Sequence, residues 1–388
     1  MKVLLSMDEH VYCLNGEYYV RELGVDLINR YLKVFETMRL AVRVDYVEQL
    51  DSAAFSRIDS SRVEVYPLPF FRGYIQYIKH FAALRRQYRT VIGDCKLVIV
   101  RLPFTSGFSI ASRALKQGIP LGCEVVANPY DFYKVKKPGI SKVLYGIYHL
   151  QLKQICQKAD AVAYVTRFAL QRRYPALKKG SFTTHYSSAR IPAGYYTQAR
   201  ELRSSDSYVL AHVAHPINNH EKGHALVIRV VAELNKRLPV KVLARFAGDG
   251  DLVDELKQLA LRLGVSDKVE FPGLLSAEEL YSLLKAADVM ILPTLTEGLP
   301  RVLIEAMATG LPCVATPVGG IPELLDKESM FEPEDVSGFT ERIARLLTDA
   351  ELYKQESSRN FERSKDYEDD KLQEKRNNFY RRLRDLVK

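Results

Sequence analysis

Short apolar runs alternate with amphipathic stretches along almost the whole chain, and this alternation limits the possible folds more than any other feature. In the first half it predicts strands at Lys2–Ser6, Ala41–Val47, Arg62–Tyr66, Leu97–Arg101, Gly122–Val126 and Ala161–Val165. Helical patterns fall between them at Val20–Thr37, Tyr74–Thr90, Phe108–Gln117, Ile140–Lys158 and Ala169–Tyr174. A polar stretch, Ala199–Ser207, has the composition of a linker. The pattern then restarts with strands at Tyr208–Ala214, Lys241–Ala247, Lys268–Phe271 and Val289–Leu292, and helices at Ala225–Arg237, Leu252–Leu263 and Ala277–Ala286. Strand–helix alternation argues for parallel sheets covered by helices. The 388 residues suffice for two α/β domains, expected at 1–200 and 201–366. A charged helix over 367–388 follows, with Leu372, Phe379, Leu383 and Leu386 at helical spacing.

The densest chemistry lies in TLTEGLPRVLIEAMATGLPCVATPVGG, residues 294–320. An apolar run ends at Pro293, and Thr294–Leu299 form a polar turn. A helix then starts with Pro300 in its first turn and stops at Gly310, with Pro312 beyond. Glu297 sits in the turn and Glu305 more than one turn inside the helix. Two carboxylates are thus held at different depths beside a helix N-terminus, where free N–H groups and the dipole favour an anion. A sugar nucleotide suits this: the helix end takes the diphosphate and the carboxylates take hydroxyls. The plainer account is an ordinary strand–helix–strand crossover with two surface acids.

Composition adds bounds. Five cysteines, Cys13, Cys95, Cys123, Cys156 and Cys313, show no CxxC pair, which reads as reduced thiols in a cytosolic protein. The opening MKVLLSMDEH looks like a first strand rather than a signal peptide. No stretch approaches the roughly 18 apolar residues needed to span a bilayer.

The net charge of +9 is unevenly placed. Residues 1–205 hold 31 Lys and Arg against 16 acids, a balance of +15, whereas residues 206–388 balance at −6. Val65–Gly93, with Arg72, Lys79, Arg85, Arg86 and Arg89, contains no acid, nor does Phe132–Ala159 with its six lysines. Both interleave Tyr and Phe, and a basic amphipathic surface of that kind suits an anionic membrane interface. In the alternative, the apolar stripes are inner faces of domain helices and the lysines are simply solvated. No nucleic-acid-binding motif is present.

Residues 294–320 resemble the donor-binding motif of glycosyltransferase family 4, the retaining glycosyltransferases of GT-B architecture. The resemblance is dense over about 208–345, looser over 90–190, and rests on element order alone before that. It implies two Rossmann-like domains facing a central cleft, with the last helix crossing back to the first domain. It also implies a nucleoside-diphosphate sugar as co-substrate, UDP-sugar before GDP-mannose, and a glycan or lipid-linked acceptor met by a peripheral protein at the inner face of the cell membrane. No metal cofactor is called for, because the helix dipole and a lysine take the place of a cation.

Carried over residue by residue, the resemblance implies Lys222 in HEKGHAL as the diphosphate lysine and Glu305 as acceptor from the ribose hydroxyls. Glu297 would position the transferred sugar. Backbone N–H groups of Gly298, Leu299, Arg301 and Val302 would face the donor, with Gly248 and Gly250 of RFAGDGD passing close to the nucleotide and Leu274 near the base. In the first domain it implies Asp131 of NPYDFY beside the acceptor hydroxyl or donor sugar, Gly16 and Glu17 on the acceptor side, and Tyr164–Thr166 as strand-end residues facing the cleft.

One departure stands out. Family members carry an arginine shortly before the diphosphate lysine, and AHVAHPINNHEKG (211–223) has none. Arg301 is the first substitute and His215 the second, with His212 and His220 in the same stretch. The missing cation keeps two other readings open: a non-catalytic partner that binds nucleotide sugar in a glycan-assembly complex, and a hydrolase or epimerase that needs no acceptor. Two strings imitate metal motifs. His220-Glu221-Lys222-Gly223-His224 fits HExxH by letter, yet its Gly and the preceding Asn pair place it in a loop and helix start. Asp249-Gly250-Asp251 resembles a metal-binding DxD, but Asp251 serves equally as a helix cap.

Overall fold

The computed structural model describes residues 1–50, 55–71, 73–135 and 139–387. Arg72, Lys136 and Lys137 of the basic stretches lie outside the described residues. The chain divides into two compact units. One comprises Met1–Tyr133, Pro138–Tyr186 and Leu372–Lys388; the other comprises Lys134–Lys137 and Ser187–Lys371.

The first unit is built on β1 (Lys2–Leu14), β2 (Glu17–Arg21), β3 (Thr37–Tyr46), β4 (Phe55–Arg57), β5 (Val63–Pro69), β6 (Leu97–Leu102), β7 (Leu121–Val125), β8 (Ala161–Tyr164) and β9 (Phe182–His185). Parallel ladders join β5, β3, β1, β6, β7, β8 and β9 in that order. Helices cover both faces, so β7 is buried at every position. β1 runs well past the expected end at Ser6. A register shift between Ser6 and His10 lets it continue, and its far half pairs antiparallel with β2. The polar triplet Asp8-Glu9-His10 interrupts the apolar run, which hides this continuation from a hydrophobicity reading. Asn15 (φ 51°) and Gly16 (φ 82°) form the two-residue turn, a conformation that matches strand twist.

The last helix, Asp369–Asp385, buries Leu372, Phe379 and Leu383. Those residues belong to the first unit, where the Tyr380 hydroxyl donates to Glu124 Oε1 on β7 at 2.7 Å. Tyr186 donates to the same oxygen at 2.6 Å, and Tyr31 to the other. A carboxylate in the middle of a buried strand is tolerable because three hydroxyls and the nearby Arg101 satisfy it.

The second unit holds β10 (Ser207–Val213), β11 (Lys241–Ala247), β12 (Val269–Gly273), β13 (Val289–Leu292) and β14 (Cys313–Ala315). All its ladders are parallel, in the order β12-β11-β10-β13-β14. Its core includes Leu210, Val227, Val231, Phe246, Ile291 and Ile343. The strand order reverses between β10 and β13. The C-terminal ends of those two strands mark the topological switch point, where sheets of this type usually hold a ligand in a crevice. The polar stretch at Ala199–Ser207 is not a free linker. Arg200 donates to the carbonyl oxygens of Leu284, Lys285, Ala287 and Thr309, and Arg203 pairs with Asp288 at 2.8 Å.

All five cysteines are buried free thiols. Among the described residues, no helix is long and apolar enough to cross a membrane.

Candidate active site

Two loops flank the crevice of the second unit. The loop after β10 ends in a short 3₁₀ turn, His220–Lys222, and Gly223 then opens the helix His224–Arg237. The loop after β13, Pro293–Pro300, leads into the helix Arg301–Ala308. Backbone bonds join them. The carbonyl oxygen of Glu221 accepts from Leu295 N at 2.7 Å and from the Thr294 hydroxyl at 3.2 Å. The Thr316 hydroxyl donates to Thr294 O at 2.5 Å, and Gly320 N donates to Gly298 O at 2.7 Å. Gly223 sits at φ 73°, and a Cβ there would lie 2.1 Å from Pro293 O, so the close approach of the loops requires a glycine.

This stapling brings together two side chains 75 residues apart: Lys222 Nζ contacts Glu297 Oε1 at 2.5 Å. Both are partly buried, with 31% and 15% of their side-chain surfaces exposed. The ammonium keeps two further N–H donors. Next to them, the helix Arg301–Ala308 begins at Pro300, which stands at the N-cap rather than inside the first turn and offers no side-chain acceptor. The first N–H groups, from Arg301 on, therefore lack a capping side chain.

Glu305, four residues further along this helix, is a mostly buried carboxylate without a hydrogen bond among the described residues. Burial pushes its pKa above the ordinary carboxylate value, and the neighbouring Arg301 guanidinium works against that rise. Arg301 itself is exposed at the helix start. An unpartnered, desolvated carboxylate beside free helix N–H groups can accept two hydroxyl hydrogens while an anion occupies the helix end.

The structure corrects several expectations about neighbouring residues. His212 is not a surface cation. It is fully buried, with Nδ1 2.9 Å from Ile291 O and Nε2 2.8 Å from His224 Nδ1. A carbonyl only accepts, so His212 Nδ1 carries the proton, and its Nε2 must accept from His224 Nδ1–H. His224 Nε2 is left a buried acceptor without a partner. Burial lowers the pKa values of His212 and His224 to about 4 and about 3. His220 of the HExxH-like string is exposed and His224 points into this pair, so the two imidazoles do not share one face. Among the described residues, no cluster of His, Cys, Asp and Glu is arranged to hold a metal. His215 is exposed.

Gly248 (φ 136°) is explained by the protein itself: a Cβ would lie 1.9 Å from Ala214 O, so the two strand-end loops can meet only over a glycine. Gly250 belongs to the same contact, with Asn218 Oδ1 accepting from Asp251 N. Asp251 does not cap the next helix; Leu252 holds that position. Leu274 is 63% exposed after β12.

Asp131 lies in the first turn of a short helix, Pro129–Val135, of the first unit. Asn128 before it accepts from Tyr130 N and from the Tyr174 hydroxyl, a local cap. Gly16 and Glu17 lie in the β1–β2 hairpin instead of an open loop. Glu17 uses one oxygen on Arg57 at 2.5 Å and the other on Tyr19 at 3.0 Å. Tyr164 and Thr166 are buried rather than open to a ligand. The Tyr164 hydroxyl donates to Tyr174 O, and Thr166 Oγ1 accepts from Leu170 N.

Residues 200–363 match the family model for glycosyl transferases group 1. Protein CapJ of Staphylococcus aureus is 25% identical over 362 residues, 92% of this chain and 89% of CapJ. The uncharacterized glycosyltransferase MJ1607 of Methanocaldococcus jannaschii is 38% identical over 133 residues, 34% of each chain. Among solved structures, sucrose-phosphate synthase from Thermosynechococcus elongatus matches with a TM-score of 0.73 at 16% identity, covering 99% of both chains. Anabaena HepE in complex with UDP and glucose matches with a TM-score of 0.66 at 16% identity, over 100% of this chain and 99% of HepE.

Proposed function

We propose that this chain, whose residues 200–363 match the family model for glycosyl transferases group 1, is a retaining GT-B glycosyltransferase taking its sugar from a nucleoside diphosphate. The acceptor is a surface or lipid-linked glycan. One observation carries the reading: the Lys222–Glu297 pair stands at the switch point beside a helix end without a side-chain cap, with Glu305, which has no hydrogen bond among the described residues, deeper in the same helix.

Each group then has a role. As the glycosidic bond breaks, the leaving diphosphate gains negative charge, so donors aimed at it stabilise the transition state more than the ground state. Lys222 offers its remaining ammonium hydrogens, and Gly298, Leu299, Arg301 and Val302 offer backbone N–H groups. The Arg301 side chain takes the place of the arginine absent from 211–223, with His215 on the adjoining loop. Glu305 accepts from the ribose hydroxyls. Glu297 orients Lys222 and the transferred sugar, and acts without covalent chemistry. Gly248 and Gly250 keep the nucleotide side of the crevice narrow, Leu274 flanks the base, and Asp131 orients the acceptor hydroxyl. Gly16 and Glu17, on the β1–β2 hairpin, are kept on the acceptor side. No resident metal is needed where a helix dipole and a lysine face the diphosphate. UDP is favoured as the leaving group by the likeness to HepE, which was solved with UDP and glucose. The basic, aromatic-rich stretches of the first unit support attachment to an anionic membrane face.

A thermal-shift panel of UDP, GDP and their sugars, followed by a transfer assay, tests this. Ligand at a hundredfold its Kd should stabilise the protein by about 2.7 kcal/mol. Turnover without acceptor would indicate a hydrolase or epimerase. The absence of an arginine from 211–223 favours one second reading, a non-catalytic nucleotide-sugar binder; it predicts the thermal shift without any transfer.

A further inference from the structure

Three helices of the first unit, Gly73–Thr90, Thr105–Gln117 and Ile140–Lys158, enclose a groove of about 580 Å³. Tyr77, Phe108 and Tyr148 line its walls, and Arg85, Arg89, Arg113 and Lys116 lie around it. None of its described lining residues is acidic. These four cations therefore share a lining that supplies no acidic counter-charge among the described residues.

Two polar atoms in this lining lack partners. Tyr88 is only 8% exposed, and its hydroxyl has no hydrogen bond among the described residues. Burial raises its pKa, so the hydroxyl stays protonated and remains a donor. Arg113 Nε is buried and equally unpartnered, while among the described residues the same guanidinium reaches only the Arg89 carbonyl oxygen, at 3.3 Å. Buried donors are normally satisfied, and donors surrounded by cations are best satisfied by an anionic acceptor.

Beside the groove, the helix Ile140–Lys158 carries an apolar stripe that the core does not use. Ile140, Val143, Ile147 and Leu150 are 74, 63, 43 and 58% exposed. Their spacing of three, four and three places them on one face. The same helix buries Leu152, Ile155 and Cys156, so its core-facing side is a different one. On the helix Gly73–Thr90, Ile78 and Phe81 are 71 and 49% exposed. Phe81 and Ile147 belong both to these exposed faces and to the groove lining, which joins the two features. The sequence alternative in which the apolar residues only face the core is thus excluded for this stripe.

We infer that the groove binds the phosphate headgroup of an anionic lipid, with the exposed apolar stripe resting among the acyl chains of the bilayer that supplies it. The inference deepens the membrane-surface reading above and rests on it. A phosphate supplies several acceptor oxygens. Tyr88 and Arg113 can donate from the floor while Arg85, Arg89 and Lys116 neutralise charge at the rim, and the aromatic walls take the first carbons of the lipid. Apolar insertion and attraction to anionic headgroups then act together, the pairing that holds interfacial helices on membranes.

The test is co-sedimentation of the full chain with phosphatidylcholine vesicles, either plain, or carrying one-fifth phosphatidylglycerol, or carrying equal charge as oleate. Strong binding is expected only with phosphatidylglycerol. Tyr88→Phe, which deletes one oxygen without changing shape, should weaken that binding about tenfold. Arg85→Gln with Arg89→Gln, both exposed, should weaken it about twentyfold. Ile147→Asp should abolish it. Equal binding to plain vesicles would overturn the inference, as would equal binding to oleate vesicles or indifference to the Tyr88 and arginine changes. Complete release by millimolar inorganic phosphate would assign the groove to free phosphate instead. Thermal shifts with UDP-sugar, recorded on the same samples, report on the second unit. Loss of that shift with lipid binding intact would fault the donor reading alone, and the converse would fault only the groove.

Discussion

At the residue scale, the decisive side chain is Glu305. Its pKa is raised in the folded protein, so the unfolded chain releases this proton first, and ionisation in place is a cost borne at neutral pH. That cost fades as pH falls from the raised folded value towards the ordinary carboxylate value, and it is gone below the latter. Glu305→Gln should therefore melt no lower than the parent at pH 7, while losing most of the stabilisation given by UDP-sugar. A sharply lowered melting point without ligand would make Glu305 structural. The His212–His224 pair has the opposite pH dependence. Both imidazoles are held neutral, with folded values near 4 and 3 against the usual 6.5. The unfolded chain takes up these protons first as pH drops, so stability is fullest above about 6.5. It should then fall by up to about 1.4 kcal/mol per pH unit for each histidine until the folded values are reached. Chemical denaturation of the parent and of His212→Asn between pH 7 and pH 4.5 measures this, the variant showing the shallower slope. An identical slope would mean that the pair is not what titrates.

The elements that the sequence made legible are those with sharp chemical boundaries. The helices Ile140–Lys158 and Ala277–Ala286 begin and end where the pattern places them, the first after Gly139 and the second with the Ser276–Glu279 capping box. The strands Lys241–Ala247 and Val289–Leu292 also match, the second an apolar run closed by Asp288 and Pro293 and the first ended by Gly248-Asp249. β2, β4 and β9 were not legible because three to five residues give too little pattern, and the far half of β1 is masked by Asp8-Glu9-His10. The site followed the same rule. Glu297, Glu305 and Lys222 are each nominated by their local motif, but a linear motif cannot announce an ion pair across 75 residues, nor that His212 turns inward onto His224. The strand-end loops behave as one element. Gly223→Ala would drive a Cβ onto Pro293 O at a left-handed position, so a loss of about 1–3 kcal/mol is expected. Donor affinity should fall with it as Lys222 is displaced; a full-affinity variant would separate the turn from the site.

At the scale of the whole molecule, the chain's last helix is integral to the first unit and not an appendage. Leu383 packs so closely on β7 that a Cβ at Gly122 would lie 2.5 Å from its Cδ1, and Tyr380 is one of the three hydroxyls that hydrogen-bond Glu124. Tyr380→Phe should destabilise the protein by about 1.5–3 kcal/mol, the usual effect of removing a hydrogen bond to a charged group. Denaturant midpoints check this, and a change under 0.5 kcal/mol would contradict it. The division of charge belongs to this scale too: the half that carries +15 holds the groove proposed for a lipid headgroup, and the half at −6 holds the site proposed for the donor. The account as a whole stands on what that crevice holds, so the most direct measurement is an experimental structure of the protein with a UDP-sugar bound. The account predicts the diphosphate against the backbone N–H groups that open the helix Arg301–Ala308, within reach of Lys222, and the ribose hydroxyls on Glu305. A nucleotide bound elsewhere, or a crevice left empty at saturating ligand, would contradict it.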